Sequence, residues 1–131
     1  MKIKRITHIG VGVKDIEQAK KPYQEFLSLS ISEEGSDEKY KIAFVPIGQT
    51  SMELVEAIAP NDELNSFIKE KGEGLHHIAL EVEDIDQALE ELEAKGVPLL
   101  DQKARPGAQQ SRIAFLDPVG TNGVLIELVQ Y

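Results

Sequence analysis

One phrase occurs twice in this chain, and the repeat constrains the fold more than any other feature. Residues 7–19 read THIGVGVKDIEQA, and residues 76–88 read HHIALEVEDIDQA. His8 aligns with His77 and Ala19 aligns with Ala88, so the spacing stays constant across the whole phrase. Self-similarity at a fixed spacing is typical of a duplicated structural unit whose copies bury their apolar faces together.

Each copy of the phrase begins with the pattern of a β-strand. In the second copy Ile78, Leu80 and Val82 alternate with smaller or polar residues. Alternation with a period of two predicts a strand that turns one face to the core. We therefore expect the aliphatic residues to face the core and His77 to lie on the opposite face, with His8 placed in the same way.

The residues that follow predict the same succession of elements in both copies. Asp15 and Asp84 are suited to cap a helix after the first strand, and Pro22 predicts a break near Lys21 in the first helix. After each helix we expect a short strand, near residues 29–33 and 97–100, and then a hairpin. The hairpins repeat as well, because KIAF at 41–44 matches RIAF at 112–115.

The order strand–helix–strand–strand–strand, taken twice, predicts an α+β fold. We expect tandem βαβββ modules that form a barrel-like mixed sheet with helices outside. At 131 residues and 41% hydrophobic composition, the chain is long enough to bury a sizeable core. The predicted organisation is a single domain, 1–131, made of a first module at 1–72 and a second module at 73–131.

Composition excludes several classes of protein. There is no cysteine, which excludes disulfides and thiolate metal sites. The net charge of −9 argues against broad binding to nucleic acid, which needs a basic surface. The start of the chain lacks the apolar run of a signal peptide, and no stretch approaches the ~20 apolar residues of a membrane span. We therefore expect a cytoplasmic protein with no membrane partner.

The duplication also repeats two kinds of polar residue. His8 and His77 lie early in the first strand of each copy, and Glu53 and Glu127 lie in the last strand. Taken alone, a histidine or a glutamate in a strand is more often an ordinary surface residue. Recurrence of both at matching places favours a site in which two imidazoles and two carboxylates converge. Such a donor set suits Zn, Co, Ni, Mn or Fe as a divalent ion.

The residues around these four positions resemble those of a known family. The chain is similar to the vicinal oxygen chelate superfamily and, within it, to the methylmalonyl-CoA epimerases. The phrases that carry the resemblance span nearly the whole chain: HIGVGV at 8–13, MELV at 52–55, GLHHIA at 74–79 and GVLIEL at 123–128. The resemblance implies one divalent metal ion per chain (Co, Zn, Ni or Mn), an acyl-CoA substrate and a homodimer. The metal ligands that it implies are His8, Glu53, His77 and Glu127.

The resemblance also implies the reaction, which moves a proton at C2 of methylmalonyl-CoA through a metal-stabilised enolate. Glu127 is the first candidate for the base and Glu53 is the candidate on the other face. Some relatives carry a second carboxylate on the third strand, where this chain has Lys41. Lys41 is the third candidate for proton transfer and is expected to contact the substrate. For the phosphates of coenzyme A, the expected substrate-binding residues are Lys103, Arg105 and Arg112.

Three other functions share this fold and stay open at this point. A glyoxalase I-like lactoylglutathione lyase uses the same ligand set on a glutathione adduct. An Fe(II) dioxygenase uses two histidines and one carboxylate, so the fourth ligand argues against it. A metal-free binding protein of the same fold has no need of the four polar residues, and their presence disfavours that alternative.

Overall fold

The computed structural model describes residues 1–60 and 62–131, and it places eight strands and three α-helices in them. The strands are β1 (Ile3–Val13), β2 (Ser32–Ser36), β3 (Tyr40–Ile47), β4 (Thr50–Ala57), β5 (Gly74–Val82), β6 (Arg105–Pro106), β7 (Arg112–Phe115) and β8 (Ile126–Gln130). The α-helices are α1 (Ile16–Lys21), α2 (Glu63–Lys71) and α3 (Ile85–Ala94). Within the described ranges, no helix is both long and apolar enough to cross a membrane.

The strands form one sheet in the order β2-β3-β4-β1-β5-β8-β7-β6. β1 pairs with β4 in parallel, and β3 pairs with its neighbours β2 and β4 in antiparallel fashion. The second half has the same plan, because β5 pairs with β8 in parallel and β7 lies antiparallel to β6 and β8. The predicted fold class, α+β with tandem βαβββ modules contributing to a mixed sheet, is confirmed.

The chain packs as two compact units. The first unit comprises residues 8–76, and the second unit comprises residues 1–7 together with 77–131. The first seven residues thus pack with the second half of the sequence, as the bond from the Glu83 amide to the Lys2 carbonyl illustrates. The predicted single domain with modules at 1–72 and 73–131 remains a prediction.

The cores of the two units are built from matching residues. In the first unit Val13, Ile16, Ala43, Val45 and Leu54 form a buried cluster between β1, α1, β3 and β4. Each of these five has its repeat partner in the cluster of the second unit, which includes Val82, Ile85, Ala114, Leu116 and Leu128. Of the aliphatic residues that the alternation predicted for the core in the second copy, Val82 lies in the cluster and Leu80 packs against it, whereas Ile78 belongs to neither. The second cluster is larger because α3 adds Ala88, Leu89 and Leu92 to it.

The predicted break in the first helix is confirmed, and proline explains it. Asp15 caps α1 by accepting hydrogen bonds from the amides of Glu17 and Gln18. The α-helix ends at Lys21, and Pro22 begins a π-helical turn that runs to Phe26. Proline has no amide hydrogen and its ring clashes with the preceding turn, so it is tolerated at the first position of a new helical segment.

A polar side chain from the last strand of each half also holds the start of its helix. The Ile16 amide donates to a Glu56 carboxylate oxygen at 2.9 Å, and the Ile85 amide donates to the Gln130 side-chain oxygen at 2.8 Å. Amides of the first helical turn have no partner within the helix, so these bonds satisfy donors that would otherwise be unpaired. They fix the start of each helix to the last strand of its half.

Two short strands differ from their predicted positions. The strand expected near 29–33 is β2, which lies later, at Ser32–Ser36. The strand expected near 97–100 is reduced to a single bridge between Leu99 and Leu116. Both positions are at the outer part of the sheet, where pairing depends on tertiary contacts more than on local propensity.

We expect the matched core leucines to be equally important for stability. Leu54 and Leu128 are 0% and 2% exposed, so Leu54→Ala and Leu128→Ala should each lower the free energy of unfolding. The expected loss is about 2–5 kcal/mol, measured by chemical denaturation. Leu75, which is 71% exposed, supplies the control: Leu75→Ala should change stability by less than about 0.5 kcal/mol. Losses below about 1 kcal/mol at both core positions would contradict the assignment of these cores.

Candidate functional site

In the first unit, parallel strands place a histidine beside a glutamate. Gly10 on β1 lies opposite Glu53 on β4, and His8 precedes Gly10 by two residues on the same face. The Nε2 atom of His8 lies 3.6 Å from an Oε1 atom of Glu53. Both residues are buried, at 5% and 6% exposure. The histidine face of β1 is therefore as well covered as its aliphatic face.

The second unit repeats this arrangement in the same register. Ala79 on β5 lies opposite Glu127 on β8, and His77 precedes Ala79 by two residues. His77 and Glu127 are buried, and a ligand atom of one lies within 4.8 Å of a ligand atom of the other. The residue opposite each glutamate, Gly10 or Ala79, has at most a methyl side chain. Each carboxylate therefore meets no long side chain from the residue directly opposite it on β1 or β5.

A phenylalanine completes each pair, and the sequence analysis did not identify it. Phe44 on β3 lies opposite Glu53, and Phe115 on β7 lies opposite Glu127. The Phe44 ring meets His8 edge to face at 6.0 Å between centroids, and the Phe115 ring meets His77 at 5.7 Å. The repeated phrases KIAF and RIAF contained this signal, because both end in the phenylalanine. These rings give each imidazole an apolar neighbour that limits its rotation.

The donor set suits a metal ion. Burial of a carboxylate is costly unless it is paired or bound to a cation, and Glu53 and Glu127 are both buried. Ligand atoms that share an ion at about 2.1 Å lie roughly 3–4 Å apart, which the 3.6 Å separation in the first unit matches. His8, His77 and Glu127 are all buried, and each offers an atom that can ligate a metal ion.

Two of the predicted substrate-binding residues lie on the face of the sheet away from the glutamates. Lys41 and Arg112 each precede the phenylalanine of their strand by three residues, which turns them to the other face. Arg112 donates from two nitrogens to Asp86, at 2.8 and 2.7 Å. The hydrogen bond from Arg112 lowers the pKa of Asp86, and the same bond raises the pKa of Arg112. This placement argues against contact of Lys41 or Arg112 with a substrate.

The other two predicted cations differ in their placement. Arg105 on β6 lies opposite Ile113, and Ile113 lies opposite Val129 on β8. Val129 shares its face with Glu127, so Arg105 projects on the face that carries the second histidine–glutamate pair. Lys103 lies in the exposed loop before β6. Of these four basic residues, Arg105 is the one that the strand register places on the sheet face that carries the predicted metal ligand Glu127.

The fold and the site agree with a family assignment. A family model of the glyoxalase/bleomycin resistance protein/dioxygenase superfamily matches residues 7–115. The chain belongs to this superfamily, which is the one that the sequence resemblance indicated.

Particular relatives agree with the narrower resemblance. The mitochondrial methylmalonyl-CoA epimerase of Mus musculus is 33% identical over 98% of this chain and 74% of its own length. An ethylmalonyl-CoA/methylmalonyl-CoA epimerase from Cereibacter sphaeroides is 30% identical over 98% of both chains. A solved structure of Streptomyces coelicolor methylmalonyl-CoA epimerase in complex with 2-nitronate-propionyl-CoA superposes with a TM-score of 0.93. That structure is 29% identical and covers 98% of this chain and 95% of its own. The resemblance to methylmalonyl-CoA epimerases is thus confirmed.

We expect one divalent ion per chain, measured by metal analysis after dialysis against Co²⁺ or Zn²⁺. Loss of a residue that supports a metal ligand lowers metal affinity roughly 10- to 100-fold. His8→Ala and His77→Ala each remove a ligand itself, so each should weaken metal binding by more than that. The matched control is His76→Ala, because His76 adjoins His77 in the chain but packs edge-on against Phe67 at 4.9 Å. A wild-type protein that binds no ion, or a His76→Ala variant that loses as much affinity, would overturn the site assignment.

Proposed function

We propose that this chain is a metal-dependent epimerase that interconverts (R)- and (S)-methylmalonyl-CoA. The observation that carries the proposal is the pair of buried histidine–glutamate sets in identical strand register, one in each unit. The likeness to epimerases over nearly the whole chain supports the choice of substrate.

In the proposal one divalent ion (Co, Zn, Ni or Mn) is held by two imidazoles and two carboxylates. The ligands are His8, Glu53, His77 and Glu127. When bound, such an ion supplies Lewis-acid stabilisation of the negative charge that develops on substrate oxygen. The apolar rings of Phe44 and Phe115 lie against the two histidines, and electrostatic interactions are stronger beside apolar groups than in water.

The reacting hydrogen at C2 lies between a thioester carbonyl and a carboxylate, and epimerisation requires proton transfer on both faces of the planar intermediate. One group must remove the proton and a second must return it. We assign removal to the carboxylate of Glu127 and the complementary transfer to Glu53, its repeat partner. Lys41, which occupies the place of a carboxylate in some relatives, points to the other face of β3 and is not used in this proposal.

The assignment of unequal roles to the glutamates follows from the resemblance. Relatives have either glutamine or glutamate at the position of Glu53, and a glutamine there cannot carry a proton near neutral pH. Glu127 is therefore the stronger candidate for the base. The resemblance further implies a cytoplasmic homodimer, which light scattering and cell fractionation can test.

The decisive experiment follows C2 of methylmalonyl-CoA by NMR in deuterated water. Metal-loaded protein should exchange the C2 hydrogen for deuterium and produce both epimers, and a chelator should stop the exchange. The hemithioacetal of methylglyoxal and glutathione is the counter-substrate, because a glyoxalase I-like lyase would isomerise it. Turnover of the hemithioacetal without exchange at C2 would replace the epimerase proposal with the lyase.

Substitution of the glutamates separates metal binding from proton transfer. Glutamine keeps an oxygen that can bind a metal, but it cannot accept the proton. After reloading with excess metal, Glu127→Gln should bind the ion while exchange at C2 stays lower by roughly a hundredfold or more. Glu53→Gln is the matched control and should retain more activity. If Glu53→Gln is the more damaged of the two at full metal occupancy, the roles of the glutamates are reversed.

A further inference from the structure

Asp101 connects the loop before β6 to the strand that carries Phe115. One of its carboxylate oxygens accepts the Phe115 amide at 2.9 Å, and the other accepts the Nε hydrogen of Arg105 at 3.1 Å. A charge-assisted bond of this kind constrains a long flexible side chain that would otherwise be mobile in solvent. Asp101 thereby holds both the backbone of β7 and the guanidinium of Arg105.

The held guanidinium lies close to the candidate site. The Cζ atom of Arg105 lies 5.5 Å from the centroid of the Phe115 ring, within the range of a cation–π contact. Phe115 in turn packs edge to face against His77 and lies opposite Glu127. Asp101, Arg105 and Phe115 thus form a connected series that ends at the second histidine–glutamate pair.

Among the residues that the structure describes, the first unit has a different residue at the place of Arg105. In the first unit the residue opposite Ile42, the repeat partner of Ile113, is Gly35 on β2. In the second unit the corresponding residue opposite Ile113 is Arg105. The duplicated halves match at the histidines, glutamates and phenylalanines, and they differ here by a positive charge.

We propose that Asp101 is a positioning residue that fixes Arg105 to bind a phosphate of the substrate's coenzyme A. The inference rests on the proposed function and deepens it. Arg105 lies on the outermost strand of the sheet and its side chain is 52% exposed, so it suits the part of a long substrate that extends from the site. Because Nε donates to Asp101, the two terminal nitrogens remain to form the forked contact that guanidinium makes with phosphate.

The test compares two substrates, methylmalonyl-CoA and its pantetheine thioester, which has no phosphate. Arg105→Ala should raise KM for the CoA substrate roughly 10- to 100-fold with kcat unchanged, the loss expected for a hydrogen bond to a charged group. The same variant should leave KM for the pantetheine thioester unchanged. An equal loss with both substrates, or a fall in kcat, would overturn the assignment of Arg105.

The role of Asp101 is tested with Asp101→Asn, because asparagine can still accept the Phe115 amide but no longer attracts Arg105. KM for the CoA substrate should rise about 2- to 5-fold, the usual effect of an exposed ion pair. The double variant with Arg105→Ala should be no worse than Arg105→Ala alone, since Asp101 acts through Arg105. Additive effects in the double variant would show that Asp101 acts independently of Arg105 and would refute the positioning role.

The matched control is Asp86→Asn, which removes a better-formed arginine–carboxylate pair on the other face of β7 and should leave KM unchanged. Calorimetric binding of adenosine 3′,5′-bisphosphate provides a readout that does not depend on turnover. If wild-type protein turns over neither substrate, the epimerase proposal fails. The phosphate proposal then stands if Arg105→Ala still weakens binding of the bisphosphate, and it fails if that binding is unchanged.

Discussion

The parallel pairing of the first and last strand of each half is the constraint on which the candidate site depends. The hydrogen-bonded register of β1 and β4 gives each paired residue a fixed partner on the other strand, and it places Gly10 opposite Glu53. The identical register of β5 and β8 places Ala79 opposite Glu127. A slip of one residue in either pair would turn the glutamate to the helix side of the sheet. The backbone hydrogen bonds between these strands therefore decide which face of the sheet carries the glutamates.

The cores on the helix side maintain this register. Leu54 and Leu128 each follow the glutamate of their strand by one residue and are almost fully buried. A one-residue slip would expose the leucine and bring the glutamate into an apolar cluster, and both changes are unfavourable. Burial of the leucine on the helix side thus favours the register that places the glutamate on the other face. The same alternation that stabilises the sheet presents the glutamates on the other face.

The sequence was sufficient to predict the features that the duplication repeats. The element order, the aliphatic faces and the break before Pro22 could all be predicted, because each depends on local pattern or on the chemistry of one residue. The position of β2 could not be predicted, since an outer strand takes its register from its neighbour. Lys41 and Arg112 were selected for their charge, although strand alternation alone places them on the face opposite the phenylalanines of their strands.

Asp101 illustrates a different limit of sequence reasoning. It has no counterpart in a recognisable motif, and its importance depends on which backbone amide and which arginine the folded loop brings to it. In the proposed function, two equal sets of residues suit the reacting end of the substrate, where protons must be exchanged on both faces. It does not suit the other end, because an acyl-CoA molecule extends in one direction only. The halves must therefore differ somewhere, and the contrast between Gly35 and Arg105 places a difference in charge at the edge of the second unit.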